Sequence, residues 1–234
     1  MIITEQTAVG DVAAAIPESV RVFERHGLDF CCGGRTPLAV ACDEAGLSFA
    51  DIAQEISAEI TPAVLAAPDW TAEPLPRLID HIVSTYHDAL RREVPRLREL
   101  ADKVAQVHGS KGPGLERIRL IVDALGHDLL THVLKEEVVL FPAIRRLAAG
   151  LPATLPLGAS IAVIEAEHDD AGALLRELRT LTDDYVPPTW ACGSVRTLYS
   201  QLEQLEHALH IHVHLENNVL FARALGGRPV SAAK

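Results

Sequence analysis

Apolar residues along most of the chain recur at every third or fourth position, which is the pattern of amphipathic helices. Glycine and proline clusters separate the long segments, and short connections between long helices are typical of antiparallel neighbours in a four-helix bundle. We expect kinks where Pro95 and Pro142 lie inside two of these segments. The pattern predicts an all-α fold with four long helical segments, at about residues 76 to 108, 114 to 149, 157 to 184 and 194 to 225.

The N-terminal part of the chain, up to about residue 62, shows shorter helical patterns divided by turn signals. One predicted helix opens at Pro17 and closes at Gly27. A second opens at Thr36 and closes at Gly46, and Ser48 opens a third. The segment holds ten acidic and three basic residues. It therefore carries −7 of the net charge of −11, and we interpret it as a separate acidic module.

A stretch with three prolines, from Ala66 to Pro76, has no helical period and indicates a linker. The second domain is expected to start after it. The prediction divides the chain into a small helical N-terminal domain at 1–65, a linker at 66–76, a four-helix bundle at 77–226 and a tail at 227–234.

The composition argues against several classes of protein. A chain of 234 residues with 48% hydrophobic residues can bury a core, while a net charge of −11 argues against a nucleic-acid surface, which needs Lys and Arg. No apolar run approaches the about 20 residues of a membrane helix, and the N-terminus lacks a signal peptide. Four cysteines in this length do not indicate a secreted disulfide framework. We expect a cytoplasmic protein that binds neither nucleic acid nor membrane.

His132 and Glu136 stand four residues apart in the second long segment. With about 100° per residue, both fall within roughly 60° of Leu129 at the centre of the apolar face. Glu137 falls outside this face. An imidazole and a carboxylate are costly to desolvate unless something pairs with them. A metal ion would satisfy both.

The same pattern returns 80 residues later as His212 and Glu216. The first and third segments each carry one inward histidine followed by aspartate, at His87 and His168. The spacings from His87 to His132 and from His168 to His212 are 45 and 44 residues, which indicates two repeated helix pairs. Four histidines and two glutamates are therefore expected to converge. The remaining histidines are expected on solvated faces or at helix ends: His81, His108, His127, His207, His210 and His214.

Six such ligands from four helices suit a pair of first-row metal ions with bridging carboxylates. Iron is favoured, because zinc prefers four-coordinate sites and magnesium or calcium would take more oxygen ligands. Two nitrogens and shared carboxylates per ion leave positions for an oxo bridge and a small diatomic ligand. Asp128, one turn before His132, is a candidate acceptor for an imidazole N–H of a metal ligand. Glu167 is a second candidate acceptor of this kind, or a residue that lines an access path to the metal ions.

Two adjacent cysteines, Cys31 and Cys32, lie on a glycine turn before a predicted helix and beside Arg35. That setting is expected to lower a thiol pKa. Adjacent residues form a strained disulfide ring and are expected to chelate one metal ion poorly, so we expect the two thiols to act one at a time, in iron or nitrosyl transfer. The alternative is that the two cysteines are small buried residues at a turn, with no chemical role. Cys42 and Cys192 are assigned no function.

The sequence resembles the iron-sulfur cluster repair di-iron proteins, which join a short N-terminal domain to a hemerythrin-like bundle. The Asp-Phe-Cys-Cys-Gly-Gly stretch at 29–34 is similar to that N-terminal domain. The sequence segments at 132–136, 167–169 and 215–221 are similar to those of the hemerythrin-like bundle. Oxygen-carrying hemerythrins differ by an extra histidine and an aspartate in a pattern absent here. The resemblance implies the same six metal ligands: His87, His132, Glu136, His168, His212 and Glu216.

The resemblance also implies two non-haem iron ions, bridged by oxo and carboxylate groups, and protection of iron-sulfur enzymes against nitric oxide and oxidative damage. Iron delivery and nitric oxide reduction at the di-iron centre are both open, so enzymatic turnover is open as well. A sensor or store for oxygen or nitric oxide is the alternative, and a metal-free structural bundle is a third. Expected partners are damaged iron-sulfur enzymes and nitric oxide or oxygen, and a homodimer is left open.

Overall fold

The computed structural model describes residues 2–59, 68–112, 114–152 and 155–226. Within these ranges the regular structure is helical, with no strand and one isolated bridge between Ala8 and Pro37. The all-α prediction is confirmed. The four long segments are also confirmed, as continuous helical runs at 75–108, 115–148, 157–181 and 193–224.

The helices follow one another without intervening strands in the described ranges. They are α1 (Val9–Ala15), α2 (Ser19–Arg25), α3 (Leu38–Glu44), α4 (Phe49–Glu59), α5 (Leu75–Ile82), α6 (Asp88–His108), α7 (Leu115–Lys135), α8 (Phe141–Ala148), α9 (Leu157–Leu181), α10 (Gly193–His214) and α11 (Ala222–Ala224). The helix α6 continues through Pro95, and Pro142 is the second residue of α8. The kinks expected at these prolines stay predictions.

Short π-helical turns continue three of these helices, and each π-turn contains one predicted metal ligand. In a π-turn the backbone hydrogen bond reaches one residue further than in an α-helix, and such turns often occur at functional sites. His87 closes the first, Glu136 opens the second and Glu216 lies in the third. Within the described ranges these turns are π1 (Val83–His87), π2 (Glu136–Leu140) and π3 (Leu215–Phe221).

The chain forms two compact units. The first unit contains residues 1–80, 143–161 and 210–234, and the second contains 81–142 and 162–209. The predicted small domain therefore lies in the first unit, together with later parts of the chain. The boundaries at 65 and 76 stay predictions, because residues 60–67 lie outside the described residues, as does the predicted tail.

The core of the first unit is built by the short helices α1 to α4. Phe23, Leu38 and Ile56 are fully buried in it, and Val213 packs against the same cluster. Gly27 and Gly46 follow α2 and α3 with φ angles of 65° and 70°, which residues with a side chain rarely adopt. Both predicted helix ends are thus confirmed.

The core of the second unit lies along α6, α7, α9 and α10. Its buried residues include Ile118, Leu178 and Val195, and each fully buried side chain of this kind contributes about 1.5–3 kcal/mol. A Cβ atom at Gly126 would lie 2.8 Å from Val94 Cγ1. The glycine therefore lets α7 approach α6 closely. The helix α6 follows π1, and α7 leads into π2. In the described part of the chain, no helix is long and apolar enough to cross a bilayer.

Candidate metal centre

All six residues predicted to face inward are buried. The two glutamates and His87 are fully inaccessible, and the other three histidines are at most 6% exposed. The prediction that these six side chains face the core is therefore confirmed: His87, His132, Glu136, His168, His212 and Glu216. Their role as ligands stays a prediction, and the contacts within each unit determine how far the geometry supports it.

In the second unit, one carboxylate oxygen lies between two imidazoles. Glu136 Oε2 is 3.4 Å from His87 Nε2 and 3.5 Å from His132 Nε2. The three residues come from π1, α7 and π2, so helices rather than loops hold them. A carboxylate oxygen within reach of two imidazole nitrogens is compatible with a carboxylate that serves two metal ions.

The outer nitrogen of each of these two imidazoles is held by a second carboxylate. His87 Nδ1 is 2.8 Å from Glu137 Oε1, and His132 Nδ1 is 2.8 Å from Glu167 Oε2. We infer that Nδ1 carries the proton in both rings, since an ionised carboxylate only accepts. Nε2 then presents its lone pair towards Glu136, which is the tautomer that binds a metal ion.

Basic side chains keep these outer carboxylates ionised. Arg91 Nη2 is 2.8 Å from Glu137, and Lys135 Nζ is 2.5 Å from Glu167. Burial acts to raise the pKa of Glu137, but hydrogen bonds with Arg91 and His87 outweigh it and hold the pKa below its usual value. The pKa of Glu167 is lowered in the same way, with Lys135 and His132 outweighing burial.

His168 completes a cluster in the second unit with His132 and Glu136. Its Nε2 lies 3.0 Å from His132 Nε2, and the ligand atoms of the three residues are within 4.8 Å of one another. Two nitrogens bound at about 2.1 Å to one ion, at a right angle, would be about 3.0 Å apart. The spacing therefore fits two imidazoles on one metal ion. We call His87, His132, Glu136 and His168 the histidine cluster.

In the first unit, the second copy of the repeat has the same internal form. His212 Nε2 is 2.9 Å from Glu216 Oε1, and both side chains are buried. The pair spans the end of α10 and the start of π3, as His132 and Glu136 span α7 and π2. An imidazole nitrogen and a carboxylate oxygen, like the donors of the second unit, are of the kind that first-row metal ions such as iron bind.

Two carboxylates hold imidazoles of the cluster, and one of them, Glu137, was not singled out from the sequence. Glu137 lies off the apolar face at the α-helical period and is partly exposed, and its carboxylate reaches His87 Nδ1 from the π-turn π2. Asp128, which was predicted to hold an imidazole, is exposed, and Glu167 lies at His132 instead. A carboxylate next to a ligand in sequence was the signal that could have found Glu137.

The stretch at residues 29–34, which we call the dithiol loop, lies in the first unit. Asp29 Oδ1 accepts hydrogen bonds from the backbone N–H groups of Cys31 and Cys32, at 3.1 and 2.9 Å. The Nδ2 of Asn218 donates to the carbonyl oxygens of Phe30 and Cys31, at 3.1 Å each. The loop is thus tied to π3, which also carries Glu216.

Two predictions about this region were wrong. The pKa of Cys31 is raised rather than lowered, because its thiol donates a hydrogen bond to the sulfur of Cys32, is buried and lies beside the charge of Asp29. His214, expected on a solvated face, is buried, and its ring packs 5.7 Å from that of Phe30. Burial lowers the pKa of His214 to about 4. Packing of the N-terminal helices on this face, which α10 alone does not reveal, explains the difference.

Comparisons with known proteins match both parts of the chain. Residues 78–224 match the family described as Hemerythrin HHE cation binding domain, and residues 5–59 match the family described as Domain of Unknown function (DUF542). The iron-sulfur cluster repair protein YtfE of Yersinia pseudotuberculosis serotype IB (strain PB1/+) is 39% identical over 220 residues, which cover 94% of this chain and 97% of that protein. The protein of the same name from Yersinia pestis (strain Pestoides F) has the same identity and coverage.

Proposed function

The chain belongs to the iron-sulfur cluster repair di-iron protein family, and from this we propose that it repairs iron-sulfur clusters damaged by nitric oxide or oxidative stress. One observation carries the proposal for this chain. Glu136 Oε2 lies between two imidazole nitrogens, and the opposite nitrogen of each ring is held by a separate carboxylate. A core that needed only packing would not bury so many ionisable groups in one place.

We assign the iron ligands as the six buried residues of the repeat. Glu136 and Glu216 are the proposed bridging carboxylates, and each histidine is a terminal ligand to one ion. When bound, a di-iron centre supplies one-electron redox chemistry and positions for a diatomic ligand. The proposed ligand set is His87, His132, Glu136, His168, His212 and Glu216.

The surrounding residues set the tautomer and the orientation of the proposed imidazole ligands. Glu137 and Glu167 each hold a proton on an imidazole Nδ1, which fixes the ring orientation and raises the basicity of Nε2. The ring of Phe141 stacks on that of His87, with centroids 5.6 Å apart and an angle of 16° between the planes. An apolar ring in this position excludes water from one face of the His87 ring.

Repair can proceed by release of iron to a damaged cluster or by removal of nitric oxide. The family resemblance is compatible with both routes, and Cys31 and Cys32 are the proposed carriers of iron or of a nitrosyl group in the first route. The expected partners are damaged iron-sulfur enzymes, and a cytoplasmic location is part of the proposal.

The test begins with the iron content of the purified full chain, which we expect to be about two ions per chain. An iron-sulfur enzyme inactivated by nitric oxide is then incubated with the protein, and recovery of its activity is measured. Glu136→Ala should restore no activity, while His207→Ala, at an exposed position, should behave as the unmodified protein. Reversible binding of nitric oxide or oxygen without recovery of the damaged enzyme would contradict repair and favour the sensor.

A further inference from the structure

We propose that Asp29, Cys31 and Cys32 form a second, mononuclear metal site in the first unit, for a divalent first-row ion such as Fe²⁺ or Zn²⁺ in tetrahedral coordination. The ligand atoms of these three residues, one oxygen and two sulfurs, lie within 4.8 Å of one another. The sequence predicted that adjacent cysteines would chelate one ion poorly, and the proposal departs from that prediction because the loop brings both thiols and the carboxylate together.

The distances fit a tetrahedral ion. Two sulfurs bound at about 2.3 Å with a tetrahedral angle would be about 3.8 Å apart, and Cys31 Sγ lies 3.9 Å from Cys32 Sγ. With an oxygen bound at about 2.1 Å, the oxygen and sulfur would be about 3.6 Å apart, and Asp29 Oδ1 lies 3.4 Å from Cys31 Sγ. These two distances therefore match the edge lengths of one coordination tetrahedron, and the third pair of donor atoms is within 4.8 Å.

The surrounding structure holds these donors in place. Asp29 Oδ1 accepts the N–H groups of both cysteines, so the carboxylate and the thiols belong to one closed turn. A Cβ at Gly33 would lie 3.2 Å from Asp29 Cγ, which is tighter than ordinary contact. The amide of Asn218 fixes the carbonyl of Cys31 from the other side. A site whose ligands are oriented by further hydrogen bonds loses little entropy when it binds an ion.

The exposure of the three donors permits exchange with solvent or with another protein. Asp29 is exposed, Cys32 is partly exposed and Cys31 is buried. Three protein ligands leave the fourth position open, as in metal sites that exchange a ligand, whereas closed structural sites use four. Binding of a divalent ion displaces one proton from each thiol, so two protons are released to solvent for each ion bound.

The role of this site in moving iron rests on the proposed repair function, but metal binding itself does not. The site would hold a single iron ion on its way to a damaged cluster, through thiolate ligands of the kind that the cluster itself uses. The binding experiment below contains no repair step. Its failure would therefore remove this site and leave the repair function to be judged on its own assay.

The experiment is an anaerobic titration of the iron-loaded full chain with Co²⁺, in the presence of a reductant that contains no thiol. We expect one Co²⁺ per chain with intense visible bands of a tetrahedral ion and near-ultraviolet thiolate-to-cobalt absorption. Cys31→Ser or Cys32→Ser should abolish this absorption. Asp29→Asn keeps an acceptor for both N–H groups but loses the charge, and it should weaken cobalt binding by at least about tenfold, as loss of a ligand or its support does.

Cys192 provides the matched control. Its thiol is exposed and lies 3.1 Å from His108 Nε2, so it is another place where cobalt could meet a thiolate. Cys192→Ser should leave the absorption unchanged. The proposal is wrong if no thiolate band appears, if the band survives in the Cys31→Ser/Cys32→Ser double variant, or if it disappears in Cys192→Ser. A site that binds cobalt while both serine variants repair clusters at the normal rate would overturn its role in iron transfer.

Discussion

The histidine cluster of the second unit and the dithiol loop of the first unit place metal-binding side chains in opposite settings. The cluster is buried, its residues come from helices and π-turns, and two further carboxylates hold its imidazoles. The dithiol loop has one buried thiol, one partly exposed thiol and an exposed carboxylate on a glycine-rich turn. Donors on rigid helices favour retention of an ion, and donors on a loop at the surface favour exchange.

The difference assigns separate tasks to the two regions. Nitrogen and oxygen donors in a dry, helical setting support a resident pair of ions whose redox state can change. Soft sulfur donors at the surface suit a single ion in transit. The following substitutions should therefore affect mainly one of the two regions.

The largest effect is expected from Glu136→Ala, which removes the carboxylate between His87 and His132. The variant should lose most of its iron, because a bridging ligand serves both ions. Its free energy of unfolding should fall by roughly 3–5 kcal/mol, as when one partner of a buried ionic group is removed. Iron analysis and thermal unfolding measure the two effects. Full iron content with unchanged spectra would show that Glu136 is not the bridge.

The choice of control for this experiment follows from the structure. His214 is buried against Phe30, so its replacement would disturb packing in the first unit for reasons unrelated to metal binding. His207 is exposed, and His207→Ala is the suitable comparison. It should retain its iron, and the dithiol loop should react with alkylating reagents at the same rate in His207→Ala, Glu136→Ala and the unmodified protein.

The second prediction concerns the dithiol loop and the amide of Asn218 that ties it to π3. In Gly34→Ala the new Cβ would meet the amide of Asn218, with its Cγ at 2.8 Å, and would displace it from the carbonyls of Phe30 and Cys31. Overpacking of this kind costs about 1–3 kcal/mol. We expect faster alkylation of Cys31, measured by mass spectrometry of the labelled peptides, and unchanged iron content.

A glycine in the second unit provides the reverse experiment. In Gly126→Ala the Cβ would lie 2.8 Å from Val94 Cγ1 and would separate α6 from α7. The cost is again about 1–3 kcal/mol, but here iron retention should fall while the rate of Cys31 alkylation stays the same. If both glycine variants changed both properties, the two regions would not be separable and the comparison would fail.

Much of this arrangement could be predicted from the sequence, and the residues show where prediction stops. The α-helical period placed His132 and Glu136 on the buried face because side chains four residues apart share a face in any α-helix. It left Glu137 off that face, where the structure has it partly exposed, but it could not show that the carboxylate reaches His87 from there. It misplaced His214, whose burial depends on packing against Phe30, a residue almost two hundred positions away. Contacts between distant segments have no periodic signature in a single sequence.

The dithiol loop marks the same limit. The glycine turn was visible in the sequence, but the pKa of Cys31 was predicted in the wrong direction. Arg35 and the next helix were close in sequence and suggested a stabilised thiolate. In the structure the nearest groups are Cys32 and Asp29, which disfavour a second negative charge. Which neighbour dominates depends on side-chain direction, and composition alone cannot supply it.

A third prediction concerns the carboxylates that hold the imidazoles. Glu167→Gln can be oriented to accept the proton of His132 Nδ1, but the charge that fixes this tautomer is lost. Loss of such a supporting carboxylate typically weakens metal binding 10–100-fold. Competition with a ferrous chelator should show this change, and Glu137→Gln at His87 should show a similar one. Retention of full affinity in both variants would indicate that the ligands are oriented by packing alone.

The smallest effect is expected from Asp128→Asn. This variant tests whether the carboxylate expected from sequence spacing or the one observed beside His132 supports the imidazole. Asp128 stands one helical turn before His132 and was predicted to hold its imidazole, but its side chain is exposed, and Glu167 Oε2 lies 2.8 Å from His132 Nδ1. An exposed charge interacts through water and contributes about 0–1 kcal/mol. In the same chelator competition we therefore expect Asp128→Asn to lose far less iron affinity than Glu167→Gln. A loss equal to that of Glu167→Gln would mean that Asp128 turns inward to His132 in the iron-loaded protein and that both carboxylates support the imidazole.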